Sequence, residues 1–484
     1  MEDNKIRNSA ISNLAWRFAE RCGAQGVAFI VSIVLARILS PDTYGTIALI
    51  TVFTNILNVF IDSGLGNALI QKKSADDVDF STVFFFNILM CCILYGGLFL
   101  AAPVIAGFYN DASLTPVIRV LGITLIISGI KNVQQAYVSR TLQFRKFFFA
   151  TLGGTIGAAV LGIIVALNGG GVWALVVQQI FNATVDTIIL WFTVSWKPRL
   201  IFSIERLKGL FSYGWKLLVS SLLDTVYNNL EQLIIGKVYS NADLAYYNRG
   251  RQFPNFMVAN INNSIDSVLL PVMSRAQDDK SHIKAMTRRS IKTSTYVMAP
   301  MMMGLAFCAE PIIRLVLTDK WLPCVPFMRI FCCTFMFYPI HTANLNAIKA
   351  MGRSDLFLKL EIAKKVVGLV LLFSTMWFGV MVMAYGLLVN SVLCQIINSW
   401  PNKKLLNYGY LEQLKDILPG ILLAFLMGLC VNMINFFNFA DVVTLMIQIP
   451  LGVSIFIGAS AIFHLESFEY LKGIVISIKN KKRA

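Results

Sequence analysis

Residues 13–39 read NLAWRFAERCGAQGVAFIVSIVLARIL, an apolar stretch of helical length that carries Arg17, Glu20 and Arg21 close to its start. A second charged apolar stretch, residues 210–237, follows about two hundred residues later. An ionisable side chain at membrane depth costs on the order of 3 kcal/mol, so such groups normally face a bundle interior or a water-filled cavity. We therefore interpret these two stretches as helices that form walls of a transport pathway.

The composition is that of a polytopic membrane protein. Of the 484 residues, 56% are hydrophobic and only 14% are charged, and apolar stretches of helical length recur from end to end. The sequence predicts an all-α polytopic membrane protein with about 14 transmembrane helices, which leaves no room for a large water-exposed catalytic domain. The predicted spans are 11–35, 44–64, 80–106, 114–138, 147–168, 171–194, 210–237, 244–273, 291–317, 323–348, 357–378, 380–399, 414–437 and 441–463.

An internal repeat organises these spans. Residues 13–17 (NLAWR) are echoed by 212–216 (SYGWK), and residues 40–45 (SPDTYG) by 240–245 (SNADLA). Six predicted spans separate the two copies, and an even number keeps both copies in one orientation, so the repeat is parallel. We predict two parallel-repeat six-helix lobes, a C-terminal helix pair and a basic cytoplasmic tail, at residues 1–200, 205–400, 410–465 and 466–484 respectively.

Basic residues set the predicted orientation. Lys and Arg concentrate in alternate loops, for example at 140–146, 197–208, 275–292 and 349–365, so both termini are predicted to lie in the cytoplasm. The net charge of +16 is spread over these loops, a distribution that the anionic lipids of the inner leaflet favour. The sequence shows no basic stretch with interspersed aromatic residues of the kind that binds nucleic acid, so we expect no nucleic-acid partner. We expect a multi-pass membrane protein.

Catalytic and metal-binding motifs are missing from the sequence. The nine cysteines form no CxxC pair and no Cys/His metal spacing, and they lie mostly inside predicted spans. There is no P-loop, nucleophile elbow or zinc motif. We therefore expect a protein that is not an enzyme and has no cofactor, apart from a coupling H⁺ or Na⁺.

Polar side chains form stripes at helical spacing. Lys216, Asp224 and Glu231 share one face of the seventh span, while Asn55 and Asn255 belong to similar stripes in the second and eighth spans. Two interpretations stay open for these side chains. They either pair across helices and hold the bundle together, or line the pathway.

Cations outnumber acids within the spans, which favours an anionic substrate because Arg matches phosphate oxygens bidentately. The acids either bind a coupling cation or neutralise the basic groups. His341 is a further candidate for titration in the pathway, against the alternative of a structural histidine. The candidate substrate-binding residues are Arg17, Arg21, Lys216, Asn55, Asn255 and Arg249, and the candidate ion-coupling residues are Asp224, Glu231 and Glu20.

Four segments resemble a known family. They are 35–45 (LARILSPDTYG), 62–71 (DSGLGNALIQ), 79–87 (DFSTVFFFN) and 134–144 (QQAYVSRTLQF). These segments are similar to the polysaccharide transporter family, the Wzx-type oligosaccharide flippases of the multidrug/oligosaccharidyl-lipid/polysaccharide exporter superfamily. The resemblance is closest to the colanic-acid and teichuronic-acid exporter branch.

This resemblance implies two six-helix lobes arranged as a V that work by alternating access. It implies a cargo of undecaprenyl-pyrophosphate-linked oligosaccharide, moved from the inner to the outer leaflet of the bacterial cytoplasmic membrane. Membrane lipids, a polysaccharide polymerase and assembly proteins are the expected partners, and we expect a monomer. The alternatives are a cation-coupled multidrug exporter, a lipid II flippase of the same superfamily and, from another class, a membrane glycosyl polymerase.

Overall fold

The computed structural model describes residues 23–62, 65–72, 74–141, 143, 145–277 and 279–481. Throughout these residues, every regular element is a helix, which confirms the predicted all-α class. Contacts divide the chain into two compact units, Met1–Ala245 and Tyr246–Ala484, called here the first and the second unit.

The first unit contains nine helices within its described residues. They are α1 (Gly23–Ile38), α2 (Pro41–Asp62), α3 (Leu65–Gln71), α4 (Asp77–Tyr109), α5 (Leu114–Leu121), α6 (Ile123–Arg140), α7 (Arg145–Leu167), α8 (Val172–Thr193) and α9 (Ile204–Val238).

The second unit contains the remaining helices, of which the first begins just before the boundary. They are α10 (Asn241–Arg275), α11 (Lys280–Phe307), α12 (Ala309–Leu317), α13 (Val325–Phe335), α14 (Tyr338–Ala350), α15 (Ser354–Thr375), α16 (Val380–Leu406), α17 (Tyr410–Asn432), α18 (Asp441–Ile462) and α19 (Glu466–Lys481), with 3₁₀ turns at Asp319–Cys324 and Met433–Phe437.

Nine spans in the described part of the chain are long and apolar enough to cross a membrane, or ten if the bent pair α11–α12 is one span. The protein is therefore a multi-pass membrane protein. Helices α9, α10 and α15 are long enough to cross as well, but each carries several charged side chains. The count of fourteen spans stays a prediction.

Helix α9, which we predicted to open the second lobe, packs against α2, α3 and α4. For this reason the boundary between the compact units falls after Ala245 rather than near residue 200. The lobes of the proposed repeat and the separate roles of residues 410–465 and 466–484 stay predictions.

Local sequence fixes where α4 begins and ends. The Asp79 N–H donates to Asp76 Oδ1 at 3.0 Å and the Asp76 N–H donates to Asp79 Oδ2 at 3.2 Å, a reciprocal capping box. The helix ends at Asn110, whose φ of 56° lies in the left-handed region that asparagine tolerates. These caps satisfy backbone groups at both ends of a 33-residue helix.

Helices α7 and α8 form a tight hairpin. Gly169 and Gly171, with φ of 79° and 51°, allow the short turn between them. Along the hairpin, a Cβ atom added to Gly157 would lie 2.7 Å from the Phe181 ring, and one at Gly154 would lie 2.9 Å from Asn182 Oδ1. Small residues thus let the two helices approach closely, as is common in membranes.

A buried amide network joins α14, α16 and α17 in the second unit. Asn344 and Gln413 exchange two hydrogen bonds of 2.9 Å, and Asn402 Nδ2 donates to Asn344 Oδ1 at 2.7 Å. All three residues are fully buried. The network fixes α14 and α16, two of the helices that line the polar cavity described below.

Candidate functional site

Three of the predicted site residues, Arg17, Glu20 and Arg21, lie outside the described residues. Their roles stay predictions.

The predicted stripe of α9 is accessible. Lys216 and Asp224 are exposed and Glu231 is half-buried, while Asn55 is exposed on α2, which packs against α9. A polar side chain at membrane depth is expected to face water or another polar group rather than lipid. The accessibility of these four residues, complete or partial, is therefore compatible with a pathway wall, and their role in binding or coupling stays a prediction.

The remaining two predicted residues, Arg249 and Asn255, lie in the second unit and differ in their burial. Arg249 is only 5% exposed, donates to Gln252 Oε1 at 2.5 Å, and lies with its guanidinium carbon 5.3 Å from the centre of the Trp321 ring. Asn255 is exposed. The two side chains are therefore not brought together in one site by the contacts of this unit.

The second unit contains a polar cavity of about 270 Å³ between α10, α13, α14, α15 and α16. Gly250 allows α10 to approach α13 closely, because a Cβ atom there would lie 2.8 Å from the Met328 backbone nitrogen. The next residue, Arg251, reaches the cavity wall. The polar lining consists of Arg251, Asn262, Thr334, Tyr338, His341, Thr342, Lys364, Asn390, Ser391 and Asn398, with Phe331, Phe335, Leu387 and Cys394 as its less polar part.

Hydrogen bonds hold the helices around this polar cavity. Ser391 Oγ donates to the Thr334 carbonyl oxygen at 3.1 Å and so joins α16 to α13. Asn398 Nδ2 lies 3.2 Å from His341 Nδ1 and joins α16 to α14. His341 thus has a structural partner and also belongs to the cavity wall.

Two cationic side chains, Arg251 and Lys364, belong to the wall of the polar cavity. Lys364 Nζ lies 2.6 Å from Glu361 Oε1, one turn earlier on α15. The Arg251 guanidinium carbon lies 6.0 Å from the centre of the Phe335 ring. The cavity therefore offers positive charge beside aromatic surface.

Two amide oxygens in the wall have no hydrogen-bond partner in the described structure. They are Asn262 Oδ1 and Asn398 Oδ1, and Asn398 is only 1% exposed. Leaving a buried acceptor unsatisfied costs about 1–3 kcal/mol, so such groups usually find a partner. Both oxygens are themselves closed off from the open space of the cavity by neighbouring atoms.

The first unit contains a buried ion pair. Lys131 Nζ on α6 lies 2.9 Å from Asp186 Oδ2 on α8, and the two side chains are 18% and 12% exposed. Asp186 Oδ1 has no hydrogen-bond partner within the described residues. Breaking such a pair leaves an uncompensated charge in the interior, so we expect both residues to be needed together.

A second cavity in the second unit, of about 410 Å³, is almost entirely apolar. It lies between α10, α11, α12, α17 and α18, with Met301, Leu305, Met427 and Phe456 among its lining residues. Gln448 is its one amide, and that side chain is already hydrogen-bonded to Val431 and Asn435. The surface of this cavity is suited to hydrocarbon.

Over the described ranges, no group of three His, Cys, Asp or Glu side chains is positioned to hold a metal ion. The polar atoms of the cavity wall are mostly amides, hydroxyls and cations, which do not attract a divalent metal.

Sequence reasoning missed much of the polar cavity. The charge pattern places Lys364 in a predicted basic loop at 349–365, whereas the residue lies within α15 and lines the cavity. Asn390, Cys394 and Asn398 are four residues apart on α16 and line one wall, so their spacing was a usable signal.

A multi-pass helical protein with a polar, cationic cavity between its helices has the construction of a membrane transporter. The chain belongs to the polysaccharide biosynthesis protein family, whose sequence profile matches residues 34–326. This match confirms the resemblance to Wzx-type flippases. The protein is accordingly a transporter of polysaccharide biosynthesis and not an enzyme.

Two curated relatives agree with this assignment. The chain is 25% identical over 419 residues to the teichuronic acid biosynthesis protein TuaB of Bacillus subtilis, covering 86% of this chain and 85% of TuaB. It is 21% identical over 401 residues to the lipopolysaccharide biosynthesis protein WzxC of Escherichia coli K12, covering 81% and 80% of the two chains.

Among solved structures, the fold is similar to the lipid II flippase MurJ in its inward closed conformation. The TM-score is 0.75, with 93% of this chain and 99% of the MurJ chain covered. Sequence identity is 15%, so this likeness concerns the fold alone.

Proposed function

We propose that the protein moves an undecaprenyl-pyrophosphate-linked oligosaccharide from the inner to the outer leaflet of the bacterial cytoplasmic membrane by alternating access. Family membership over residues 34–326 is the observation that carries this proposal. The names of the relatives link them to teichuronic acid and lipopolysaccharide biosynthesis, which are pathways that build long sugar chains.

The cavities of the second unit support a cargo with two kinds of surface. The polar cavity offers cations, amides and hydroxyls to a sugar or an acidic group, and the apolar cavity offers about 410 Å³ to hydrocarbon. A lipid-linked oligosaccharide combines both chemistries in one molecule.

The orientation in the proposal has both termini in the cytoplasm, because basic residues concentrate in alternate loops. Cargo would load from that side. A polysaccharide polymerase and assembly proteins would act on the delivered cargo, and the transporter itself would work as a monomer.

Cation coupling is part of the proposal. Asp224 is exposed and Glu231 is half-buried on α9, so water reaches both carboxylates. Neutralising Asp224 as Asp224→Asn should remove any dependence of transport on an ion gradient. Export that still follows the gradient would reject this assignment.

A reconstitution experiment tests the proposed cargo. Purified protein in vesicles is supplied with an undecaprenyl-pyrophosphate oligosaccharide, with lipid II, or with a fluorescent cationic drug. We expect faster exposure of the oligosaccharide to an impermeant sugar-oxidising enzyme than in protein-free vesicles. Faster movement of lipid II or of the drug instead would favour one of the two alternatives from the same superfamily.

A paired variant tests the inner mouth of the pathway. Arg17→Ala combined with Arg21→Ala should abolish movement of the oligosaccharide while leaving the protein in the membrane, because two cations that would receive the pyrophosphate are lost. Undiminished movement would reject their assignment without affecting the proposed cargo.

A further inference from the structure

The connection from α8 to α9 presents an apolar surface on the outside of the first unit. Residues 197–208, KPRLIFSIERLK, are called here the basic linker, and they comprise the end of this connection and the first turn of α9. Within them, Leu200, Phe202 and Ile204 are 94%, 49% and 63% exposed. A cluster of large exposed apolar side chains marks a surface that contacts a protein or a membrane.

The residues on either side of the basic linker are fixed to the core of the first unit. Val194 and Trp196 before it and Leu210 after it are buried in one apolar cluster. The Trp196 ring stacks on the Tyr137 ring, with centroids 6.4 Å apart. The basic linker is therefore held at both ends by packed side chains.

The backbone of the basic linker is also bound to the start of α4. The Arg199 N–H donates to Ser81 Oγ at 3.0 Å, and the Ser203 N–H donates to Thr82 Oγ1 at 3.1 Å. Both hydroxyl groups belong to segment 79–87, one of the segments that resemble the polysaccharide transporter family. These bonds hold the backbone against α4, so the apolar side chains between residues 199 and 203 point outward from a fixed support.

Cations alternate with the apolar side chains of the basic linker. Its four cations and one acid, Glu205, give it a net charge of +3, and all four cations are exposed. Arg199 Nη2 lies 3.1 Å from Asp77 Oδ2, but both side chains are largely exposed. Exposed ion pairs are weak, so this guanidinium can still bind a phosphate group, which it matches with two hydrogen bonds.

The exposed apolar face continues along α9. Ile204, Phe211 and Trp215 follow each other at helical spacing on one face of the helix, and all three are exposed. Lys208 lies between them on the same face and is exposed as well. Such a face suits the membrane–water interface, where apolar atoms reach the acyl chains and the ammonium group reaches the phosphates.

We propose that the basic linker docks on a bilayer leaflet of anionic phospholipid, with its apolar side chains among the acyl chains and its cations on the lipid phosphates. Apolar and cationic side chains alternate within twelve residues, and an anionic bilayer offers the complement of both at one boundary. By the predicted orientation, this leaflet is the inner one. The inference goes beyond the proposed function and does not depend on the cargo.

The test is amide hydrogen exchange of the full-length protein in nanodiscs of phosphatidylcholine, with or without phosphatidylglycerol. We expect roughly tenfold slower exchange of peptide 197–208 with phosphatidylglycerol, because each Lys or Arg near an anionic surface gains about fivefold in binding. The difference should shrink as salt is added. Equal exchange in both lipids would overturn the inference, and so would the same slowing by inorganic phosphate in phosphatidylcholine alone.

Lys197→Gln combined with Lys208→Gln tests the charge of the basic linker. This variant should lose most of the slowing by phosphatidylglycerol while its unfolding temperature stays close to that of the native protein. Lys403→Gln with Lys404→Gln is the matched control, because it removes the same charge from two exposed residues at the end of α16 and should keep the native lipid dependence. Equal lipid dependence of the two variants would contradict the inference.

Leu200→Ser combined with Phe202→Ser tests insertion among the acyl chains. We expect several-fold faster exchange of peptide 197–208 with phosphatidylglycerol than in the native protein. Phe436→Ser with Phe437→Ser is the control, since both rings are as exposed but residues 431–441 contain no Lys or Arg. Native-like exchange in the Leu200 and Phe202 variant would show that these side chains do not enter the leaflet.

The exchange measurement uses no cargo, which separates this inference from the proposed function. Lipid-independent exchange of the basic linker rejects the docking surface and leaves the flippase function standing. If the vesicles move no lipid-linked oligosaccharide although phosphatidylglycerol slows exchange as expected, the proposed function is rejected and the docking surface stands.

Discussion

The backbone oxygen of Asn241 occupies the space in which a Cβ atom of residue 45 would lie, so the start of α2 contacts the start of α10 through Gly45. The contact is reinforced by the Asn241 side chain, whose Nδ2 donates to Thr46 Oγ1 and to Asp111 Oδ2, each at 3.2 Å. Residues 45 and 241 belong to the two segments, 40–45 and 240–245, that echo each other in the sequence.

Gly45→Ala should destabilise the protein, because the obstructing atom belongs to the backbone and cannot rotate away. Overpacking usually costs about 1–3 kcal/mol, and we expect the upper part of that range here. The unfolding temperature in detergent is the measurement. Gly97→Ala is the control, since a Cβ atom there meets nothing within 4 Å. Equal stability of the two variants would contradict the close contact.

Asp186→Asn should cost about 3–5 kcal/mol, because the Lys131 ammonium is left without its anionic partner in the interior. The double variant Lys131→Met with Asp186→Leu should recover most of that loss, since no charge then remains. Folded yield on fluorescence-detected size-exclusion chromatography reports both effects. If the folded yield of the double variant is no better than that of Asp186→Asn, the two residues act independently.

Asn344→Ala should destabilise the junction of α14, α16 and α17. It leaves Gln413 and Asn402 without their shared partner, and each stranded amide costs about 1–3 kcal/mol. Asn168→Ala, at an exposed helix end, should change the unfolding temperature little. A similar small change for Asn344→Ala would show that water replaces the network.

The capping box of α4 makes the stability of the folded protein depend on pH in the acidic range. The hydrogen bond from the Asp79 N–H and the positive charge of Arg206 lower the pKa of Asp76, which lies just before the membrane-spanning helix. A lowered folded-state pKa contributes stability that is complete above the unfolded value, near pH 4, and is lost as the pH falls further. Unfolding temperatures measured from pH 6 to pH 3 should show this loss.

Two variants isolate the cap. Asp76→Asn keeps a good N-cap acceptor but cannot titrate, so its unfolding temperature should fall less between pH 4 and pH 3 than that of the native protein. Asp76→Ala should cost about 1 kcal/mol at pH 7. Identical pH profiles for the native protein and Asp76→Asn would exclude this carboxylate as a source of the acid dependence.

Much of the fold follows from the sequence because the bilayer restricts the solutions. Long apolar runs such as 77–109 and 441–462 have to be helices, and they are. Spans are harder to assign from the sequence where a helix carries charged side chains. Helices α10 and α15 carry charges, including Arg251 and Lys364, and these same charges line the polar cavity.

The candidate site was less predictable, since a cavity depends on which faces of distant helices meet. The stripe on α9 was visible from spacing alone, and its residues are accessible. Spacing could not reveal that Arg251 on α10 and Lys364 on α15 border one cavity, because no local signal encodes contacts over more than one hundred residues. Likewise, the sequence predicts Arg249 as a site residue, whereas Arg251 lines the cavity and Arg249 packs against Trp321.

The Lys131–Asp186 pair also constrains the order in which the membrane protein is assembled. Asp186 is synthesised 55 residues after Lys131, which is roughly 3 to 11 s later at 5–20 residues per second. During that interval α6 enters the bilayer with an ammonium group that has no anionic partner from α8. The final depth of α6 in the bilayer is therefore set only when the α7–α8 hairpin inserts beside it. In a ribosome-bound chain that ends before α8, α6 should lie closer to the membrane surface.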